Sequence, residues 1–363
     1  MIRNKNIYIA HNWSDASLCL QSKALALALS KHNKVFFLNA KKNGFDNVWI
    51  NENLLILEWP GKRPTGWKDL LFAIKVMRKN RPDIVVSNFA ANDILLFTSW
   101  LFRAKKRVCY FHTMVEQYIA DYGNLPLNQR VNIFRKSLVF KLATQVLPSS
   151  VAAKKDLIHY YHVKDANAII FPNALPDTPV RNKRNNNKTI GFLGRLDHSK
   201  GVDILIDAFI KVSVKIPGAT LEIVGKGPRE AELKKKIERS GNNSNIIFRG
   251  SIVYAEVLHF LSSVDIVVVP SRTDNLPTVV LESLSVGSPV IGSNSGGIPD
   301  IISDGWNGLL FERENADELS EKIIMLLNND QKSEEMGRNA RKSFEERYCI
   351  DQHACRFEQM LQV

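Results

Sequence analysis

Two carboxylates, Asp274 and Glu282, stand eight residues apart in the stretch VDIVVVPSRTDNLPTVVLESLSVGSPVIGSNSGGIPDII. A carboxylate accepts hydrogen bonds from two neighbouring hydroxyls, and such charge-assisted bonds are roughly twice as strong as neutral ones. A spaced pair of this kind suits the wall of a ligand site. Upstream, GFLGRLDHSKGVDILIDAF places Arg195 directly after Gly194 and Lys200 directly before Gly201. A guanidinium fork and an ammonium point charge, on a loop leading into a helix, suit a diphosphate, and the glycines let the backbone come close. The loop is neither a GxxxxGK[ST] phosphate loop nor a GxGxxG fingerprint. Taken singly, each feature also has a plain structural reading. Glu282 could be a helix-terminal carboxylate favoured by the macrodipole, Asp274 a turn residue, and Arg195 and Lys200 surface cations.

These residues need elements to position them. Asp265 to Val269 is short, apolar and β-branched, bounded by Pro270 and Ser271, which reads as a buried parallel strand. Pro277 has no amide hydrogen and suits a first helical turn, so a helix is predicted over Thr278 to Val286, ending at Gly287. Asp274 then lies on a loop and Glu282 on a helix. A further strand is predicted from Pro289 to Ile291, and Gly296 and Gly297 precede another predicted helix start. Loops beyond the carboxyl ends of strands are where open α/β sheets bind ligands.

The rest of the chain has the same rhythm, short β-branched runs alternating with helical patterns, as in doubly wound parallel sheets. Strands are predicted at NIYIA, KVFFLN, LLILEW, DIVVSN, RVCYFH and QVLPSS, with ASLCLQSKALALALSKH as the first amphipathic helix. After the aperiodic FPNALPDTPVRNKRNNNKT, read as a hinge, strands restart at KTIGFLG, TLEIVG, IIFRG, DIVVVP, SPVIGS and NGLLF. The expected fold is α/β: two Rossmann-like domains with doubly wound parallel sheets, residues 1–175 and 176–344, facing a central cleft. The helical segment 345–363 would pack back on the first domain.

The 363 residues carry a net charge of +12, unevenly spread. Through Leu175 there are 25 Lys and Arg against 11 Asp and Glu, net +14, and from Pro176 onward 24 against 26, net −2. Clusters such as KVMRKNRPD, RAKKR and FRKSLVFKLA suit anionic lipid headgroups or a phosphorylated acceptor, and equally an ordinary solvated basic face. No helix-turn-helix, finger or RNP pattern points to nucleic acid. No apolar run approaches the roughly 20 residues of a transmembrane helix and no signal-peptide core develops, so a cytoplasmic location is expected. Cys19, Cys109, Cys349 and Cys355 form no CxxC pair and have no histidine at metal-ligand spacing, which reads as reduced structural thiols and no metal site.

Taken in order, the GRL and KG elements, LEIVGKGP with Gly225, IIFRGSI, the spaced Asp274 and Glu282, and Gly296 with Gly297 make the second half resemble the nucleotide-sugar-binding domain of the retaining GT-B glycosyltransferases of family 4. The resemblance covers nearly all of residues 188 to 344. In that family an E-x7-E motif binds the donor; here Asp274, a shorter carboxylate in a DNLP variant, takes the first position and Glu282 the second. The resemblance implies that Glu282 clamps the ribose and Asp274 the transferred sugar, with Asn275, Leu276 and Thr278 near the phosphates. It places Gly194, Gly225 and the backbone around Ser251 and Ile252 along the donor, with amides of Gly296 and Gly297 beside it. In the first half, His112 closes the strand of RVCYFHTMVEQY where relatives often carry a histidine near the donor sugar. That half departs elsewhere: HNWSDAS stands in place of a glycine-rich loop, and Ala174 replaces the glycine of Pro-Asn-Gly.

The implied reaction is retaining transfer from a UDP or GDP type sugar to an acceptor hydroxyl, with no cofactor and no metal. Arg195 and Lys200 would stabilise charge on the leaving diphosphate, and closure around the hinge would exclude water. A front-face mechanism needs no covalent intermediate of the kind used by retaining hydrolases. The basic first half suggests a lipid-linked or surface-polysaccharide acceptor of O-antigen, capsule or lipopolysaccharide type, met at the inner membrane face. Two other readings stay open: a GT-B epimerase or phosphorylase, and a non-catalytic glycan- or lipid-binding relative.

Overall fold

The computed structural model describes residues 2–14, 17–40, 47–181, 187–241 and 245–362. Positions 15 and 16 of HNWSDAS and 182–186 of the expected hinge lie outside the described residues. The chain forms two compact units. The first comprises Met1–Val115, Leu125–Pro176 and Ile350–Val363, the second Glu116–Asn124 and Asp177–Cys349.

In chain order the first part contains β1 (Asn6–Ala10), α1 (Ser17–Ser30), β2 (Lys34–Asn39), β3 (Val48–Asn51), β4 (Leu54–Glu58), α2 (Trp67–Lys79), β5 (Ile84–Ser87), α3 (Asn92–Leu101) and β6 (Lys106–Phe111). It continues with α4 (Val115–Tyr122), α5 (Leu127–Phe140), β7 (Gln145–Pro148) and α6 (Val151–Tyr161). The first unit's sheet has the order β3-β4-β2-β1-β5-β6-β7. Its central strands are apolar on both faces because helices cover both. Ile7, Ile9, Val35 and Phe37 pack with Leu25 and Leu29 of α1, while Tyr8, Phe36 and Leu38 pack with Met77 of α2 and Leu95 of α3. The sequence reading did not include β3, an antiparallel edge strand whose four residues VWIN are all exposed. Without a buried face it carries no alternation to read.

The second part contains β8 (Thr189–Leu193), α7 (Val202–Lys215), β9 (Thr220–Val224), α8 (Glu230–Ser240), β10 (Ile246–Gly250), α9 (Tyr254–Ser263), β11 (Ile266–Val269) and α10 (Thr278–Val286). Then come β12 (Val290–Ser293), β13 (Leu309–Phe311), α11 (Ala316–Leu327), α12 (Asp330–Arg347) and α13 (Ile350–Gln362). The second sheet is parallel in the order β10-β9-β8-β11-β12-β13. The chain winds one way from β8 to β9 and β10, and the other way from β11 onward, so β8 and β11 flank the topological switch point. Loops leaving the carboxyl ends of two such strands diverge and leave a crevice between them.

Two expectations need correction. Gly297 introduces only a 3-10 turn over Ile298–Asp300, not an α-helix. The terminal helical segment is two helices: α12 stops at Arg347 and α13 starts at Ile350, whose amide donates to Leu175 O at 2.9 Å. Phe357 and Leu361 of α13 join the core cluster of the first unit, and Phe357 meets Phe171 edge-on at 5.7 Å.

Candidate functional site

The crevice beyond β8 and β11 is a cavity of about 350 Å³. Gly194, Arg195 and Lys200 line it from one loop, Asp274 and Leu276 from the other, and Thr278 and Glu282 from α10. Helix α10 spans Thr278–Val286 as expected, starting after Pro277 and capped by Gly287 at φ 76°. Its first two turns therefore carry Thr278 and Glu282 on the side facing the cavity. Glu282 is 4% exposed and Asp274 7%.

The first loop is shaped by close backbone approaches. Gly194 donates its amide to Val224 O at 3.0 Å, and Gly225, at φ 139°, has no room for a side chain because a Cβ would lie 1.8 Å from Gly194 O. Only glycine adopts that conformation readily. A Cβ on Gly201, at φ 66°, would lie 2.0 Å from Pro270 O. Between these glycines a 3-10 turn over His198–Lys200 presents Lys200. Arg195 is mostly exposed, and its Nε pairs with Asp197 at 2.9 Å.

Lys200 and Asp274, expected to serve phosphate and sugar separately, meet directly. The Lys200 Nζ lies 2.5 Å from Asp274 Oδ2, with both side chains largely covered. Such a pair is strong where solvent is excluded.

The turn that carries Lys200 is held by residues that the sequence reading did not single out. Arg272 is 9% exposed; its amide donates to Ser199 O at 2.7 Å, and its guanidinium donates to His198 O at 2.8 Å. The same guanidinium bonds both oxygens of Asp203, at 2.9 and 2.8 Å, and pairs with Glu314 at 2.5 Å. Arg229 adds a third contact to Asp203 at 3.1 Å, and the Ser199 amide donates to Asp121 Oδ1 at 2.7 Å. Burial would raise the Asp203 carboxyl, but the bonds and charge of Arg272, with Arg229, outweigh it and hold it down at about 2. An arginine three residues beyond a buried strand and two residues before Asp274 was the available signal.

Gly296 and Gly297 were expected to offer amides to a donor. Instead the Gly297 amide donates to Asp274 O at 2.9 Å, and a Cβ on Gly296, at φ 59°, would fall 2.1 Å from the same oxygen. The glycine pair fixes the backbone of Asp274, so the Gly297 amide is already committed. Asn275, Gly225 and Ile252 do not line the cavity: Asn275 is buried beside it, Gly225 supports Gly194, and Ile252 follows β10.

His112 belongs to the first unit, where its ring stacks on Phe89 at 4.4 Å and on Tyr110 at 5.7 Å. Its Nε2 lies 3.1 Å from Asn88 Oδ1, and Asn88 Nδ2 donates to Ala10 O at 3.2 Å. The amide orientation makes Oδ1 an acceptor, so Nε2 carries the proton and donates. Burial, reinforced by His11, pushes the His112 ring down to about 3, so it is neutral at neutral pH. At the carboxyl ends of β1 and β5 a second cavity of about 260 Å³ is lined by His11, Asn12, Lys62, Arg63, Asn88 and Phe89 among others, and His112 lies behind Phe89 and Asn88 without lining it. The loop with Lys62 and Arg63 is pinned by Asp69, whose two oxygens accept the amides of Gly61 and Gly66 at 3.0 Å each. Phe89, between the rings of His11 and His112, has a positive φ of 48°, a conformation that non-glycine residues adopt at a cost and that clusters at binding sites.

Residues 176–343 match the family described as glycosyl transferases group 1, and residues 22–178 match glycosyltransferase family 4. An uncharacterized glycosyltransferase of Methanocaldococcus jannaschii is 36% identical over 44% of this chain and 44% of its own length. A GDP-mannose-dependent monoacylated alpha-(1-6)-phosphatidylinositol monomannoside mannosyltransferase of Corynebacterium glutamicum is 33% identical over 45% of this chain and 46% of its own. The chain thus spans about half the length of such curated relatives. Among solved structures, Anabaena Alr3699/HepE in complex with UDP and glucose is similar with a TM-score of 0.76, at 17% identity, over 99% of this chain and 100% of that one. The two parallel-sheet units therefore have the GT-B fold.

Proposed function

Because the chain belongs to the family 4 GT-B glycosyltransferases, we propose that it transfers a sugar, with retention, from a nucleoside diphosphate sugar to an acceptor hydroxyl. The observation that carries this reading is the grouping of Arg195, Lys200, Asp274 and Glu282 around one 350 Å³ cavity at the switch point of the second sheet. The nucleotides named for relatives, GDP for the Corynebacterium enzyme and UDP for the Anabaena structure, support a UDP or GDP donor.

In this reading the buried Glu282 carboxylate accepts hydrogen bonds from the ribose hydroxyls. The bond from the sugar's anomeric carbon to the diphosphate breaks, a bond from that carbon to the acceptor oxygen forms, and the acceptor proton passes to the departing phosphate oxygen. Arg195 and Lys200 stabilise the charge that develops on the diphosphate, so the step needs no metal and no protein base. Lys200, with three N–H donors, turns toward the phosphate as its bond to Asp274 Oδ2 loosens, which in turn frees that carboxylate for the transferred sugar. His112, neutral and bonded to Asn88, acts as a fixed polar support and not as an acid. The cavity of the first unit, with Lys62 and Arg63, is the acceptor side, and the acceptor is a lipid-linked or surface-polysaccharide glycan met at the inner membrane face.

The test is a thermal-shift panel with UDP, GDP, ADP and their sugars, run on the parent and on Glu282→Ala. One nucleotide should raise the parent's midpoint at millimolar ligand, and the variant should lose the response, because a ligand that binds only the folded state stabilises it. Equal responses from parent and variant would remove Glu282 from the site. Absence of any response would overturn the donor reading.

A further inference from the structure

We infer that the helical layer α2–α3–α5 of the first unit is a membrane-docking face, and that its partner is an anionic phospholipid bilayer into which its apolar residues insert. The inference rests on the proposed membrane-borne acceptor and adds the surface and the mode of attachment. Each helix buries one side: Ala73 and Met77 of α2 and Ile94 and Leu95 of α3 pack on the sheet, and Phe140 of α5 packs on Phe111 and Tyr161. The opposite sides should then be polar. They are not.

On α5, Leu127, Val131, Phe134 and Leu138 follow helical spacing, and all four are exposed, Leu127 at 77% and Phe134 at 67%. On α3, Phe97, Trp100 and Leu101 are exposed at 41, 50 and 49%. On α2, Trp67 and Leu71, one turn apart, are exposed at 69 and 55%. Helices α3 and α5 are joined by the ion pair Arg135–Asp93 at 3.0 Å. Phe97 lies one turn from Asp93 and Phe134 next to Arg135, so the two stripes border the same pair.

Charge selects the occupant. Lys68, Lys75 and Arg78 are exposed on α2, and Arg130 and Arg135 on α5. The acidic residues of the three helices are Asp69 and Asp93, and both are committed, Asp69 to the Gly61 and Gly66 amides and Asp93 to Arg135. A second copy of the chain would set cations against cations on this face. A bilayer with anionic headgroups takes both components at once, the cations at the phosphates and the Trp, Phe and Leu side chains at the acyl boundary.

The experiment is flotation of the full chain with vesicles of phosphatidylcholine alone or of phosphatidylcholine mixed with phosphatidylglycerol, at low and high salt. Quenching of tryptophan fluorescence by lipids brominated along the acyl chain is measured in parallel. The parent should float with the anionic vesicles and be quenched, Trp100→Phe should lose part of the quenching, and Phe134→Ser with Leu138→Ser should weaken binding at least tenfold at an unchanged melting temperature. Binding that high salt abolishes, without quenching, would reduce the attachment to electrostatics and overturn insertion. Binding undiminished in the double variant would overturn this face as the docking surface while leaving the membrane-borne acceptor intact. No binding by the parent would overturn both, and donor binding in the thermal-shift panel would still stand. Conversion of a parent dimer to a monomer by the same two substitutions would make the occupant a second copy and overturn the bilayer.

Discussion

The Lys200 ammonium and the Asp274 carboxylate lie 2.5 Å apart, and the proposed reaction asks each to serve a different part of the donor. Asp274→Asn keeps the shape and removes the charge. The variant is expected to bind the nucleoside diphosphate several-fold more tightly by calorimetry, because no carboxylate competes for Lys200, and to lose at least tenfold in kcat, because a neutral amide oxygen is a weaker acceptor for the sugar hydroxyl than a carboxylate. Unchanged values of both would show that the pair takes no part. Asp274→Glu, which restores the longer carboxylate of the resembled motif, tests whether side-chain length selects the sugar. The identities of these residues were legible from spacing along the chain, but their mutual ion pair was not, because a bond across 74 positions leaves no local pattern.

Elements explain why Lys200 is where it is. The 3-10 turn of His198–Lys200 has little stability of its own, and Arg272, Asp203 and Glu314 tie it between β8 and β11. Arg272→Met should cost about 3 kcal/mol, the lower end of the range for opening a covered charge pair that leaves its carboxylate behind, because Arg229 still holds Asp203. Arg272→Lys should recover most of the melting temperature but not the donor KM, since an ammonium cannot fork to Asp203 and reach the His198 carbonyl together. A KM that tracks the melting temperature in both variants would make the network purely structural. The bounds of α10 were readable because Pro277 and Gly287 act through their own backbones. The short turn after Gly297 was misread as a helix start because a glycine pair before an apolar residue looks alike in both cases. Whether such a turn extends into a helix is decided by the surfaces available for it to pack against.

At the scale of the molecule, three histidines titrate abnormally in the first unit. Burial holds His11 at about 4, and burial, reinforced by His11 in one case and by Arg356 in the other, holds His112 and His353 at about 3 each. Unfolded histidine takes up its proton near pH 6.5, so below that pH the unfolded chain binds protons the folded unit does not. Stability should be level above about pH 7 and fall steadily as the pH drops toward 4. Tryptophan fluorescence reads this unit selectively, since Trp13, Trp49, Trp59, Trp67 and Trp100 belong to it and only Trp306 of the six belongs to the other. A midpoint in urea that does not change between pH 7 and 5 would contradict the assignment, and His353→Gln should reduce the slope. By itself the sequence determined what is local or periodic: the alternation of strands and helices, the limits of α10, the carboxylates and cations that turn out to line the crevice, and the basic bias of the first half. The tertiary structure alone decided which strands are neighbours, hence where the crevice opens, that Arg272 braces the Lys200 turn, that Gly297 serves Asp274 instead of a ligand, and that an apolar stripe on α5 faces outward. Those outcomes depend on contacts between residues far apart in the chain, and on which side of a helix is already covered, which periodicity cannot report.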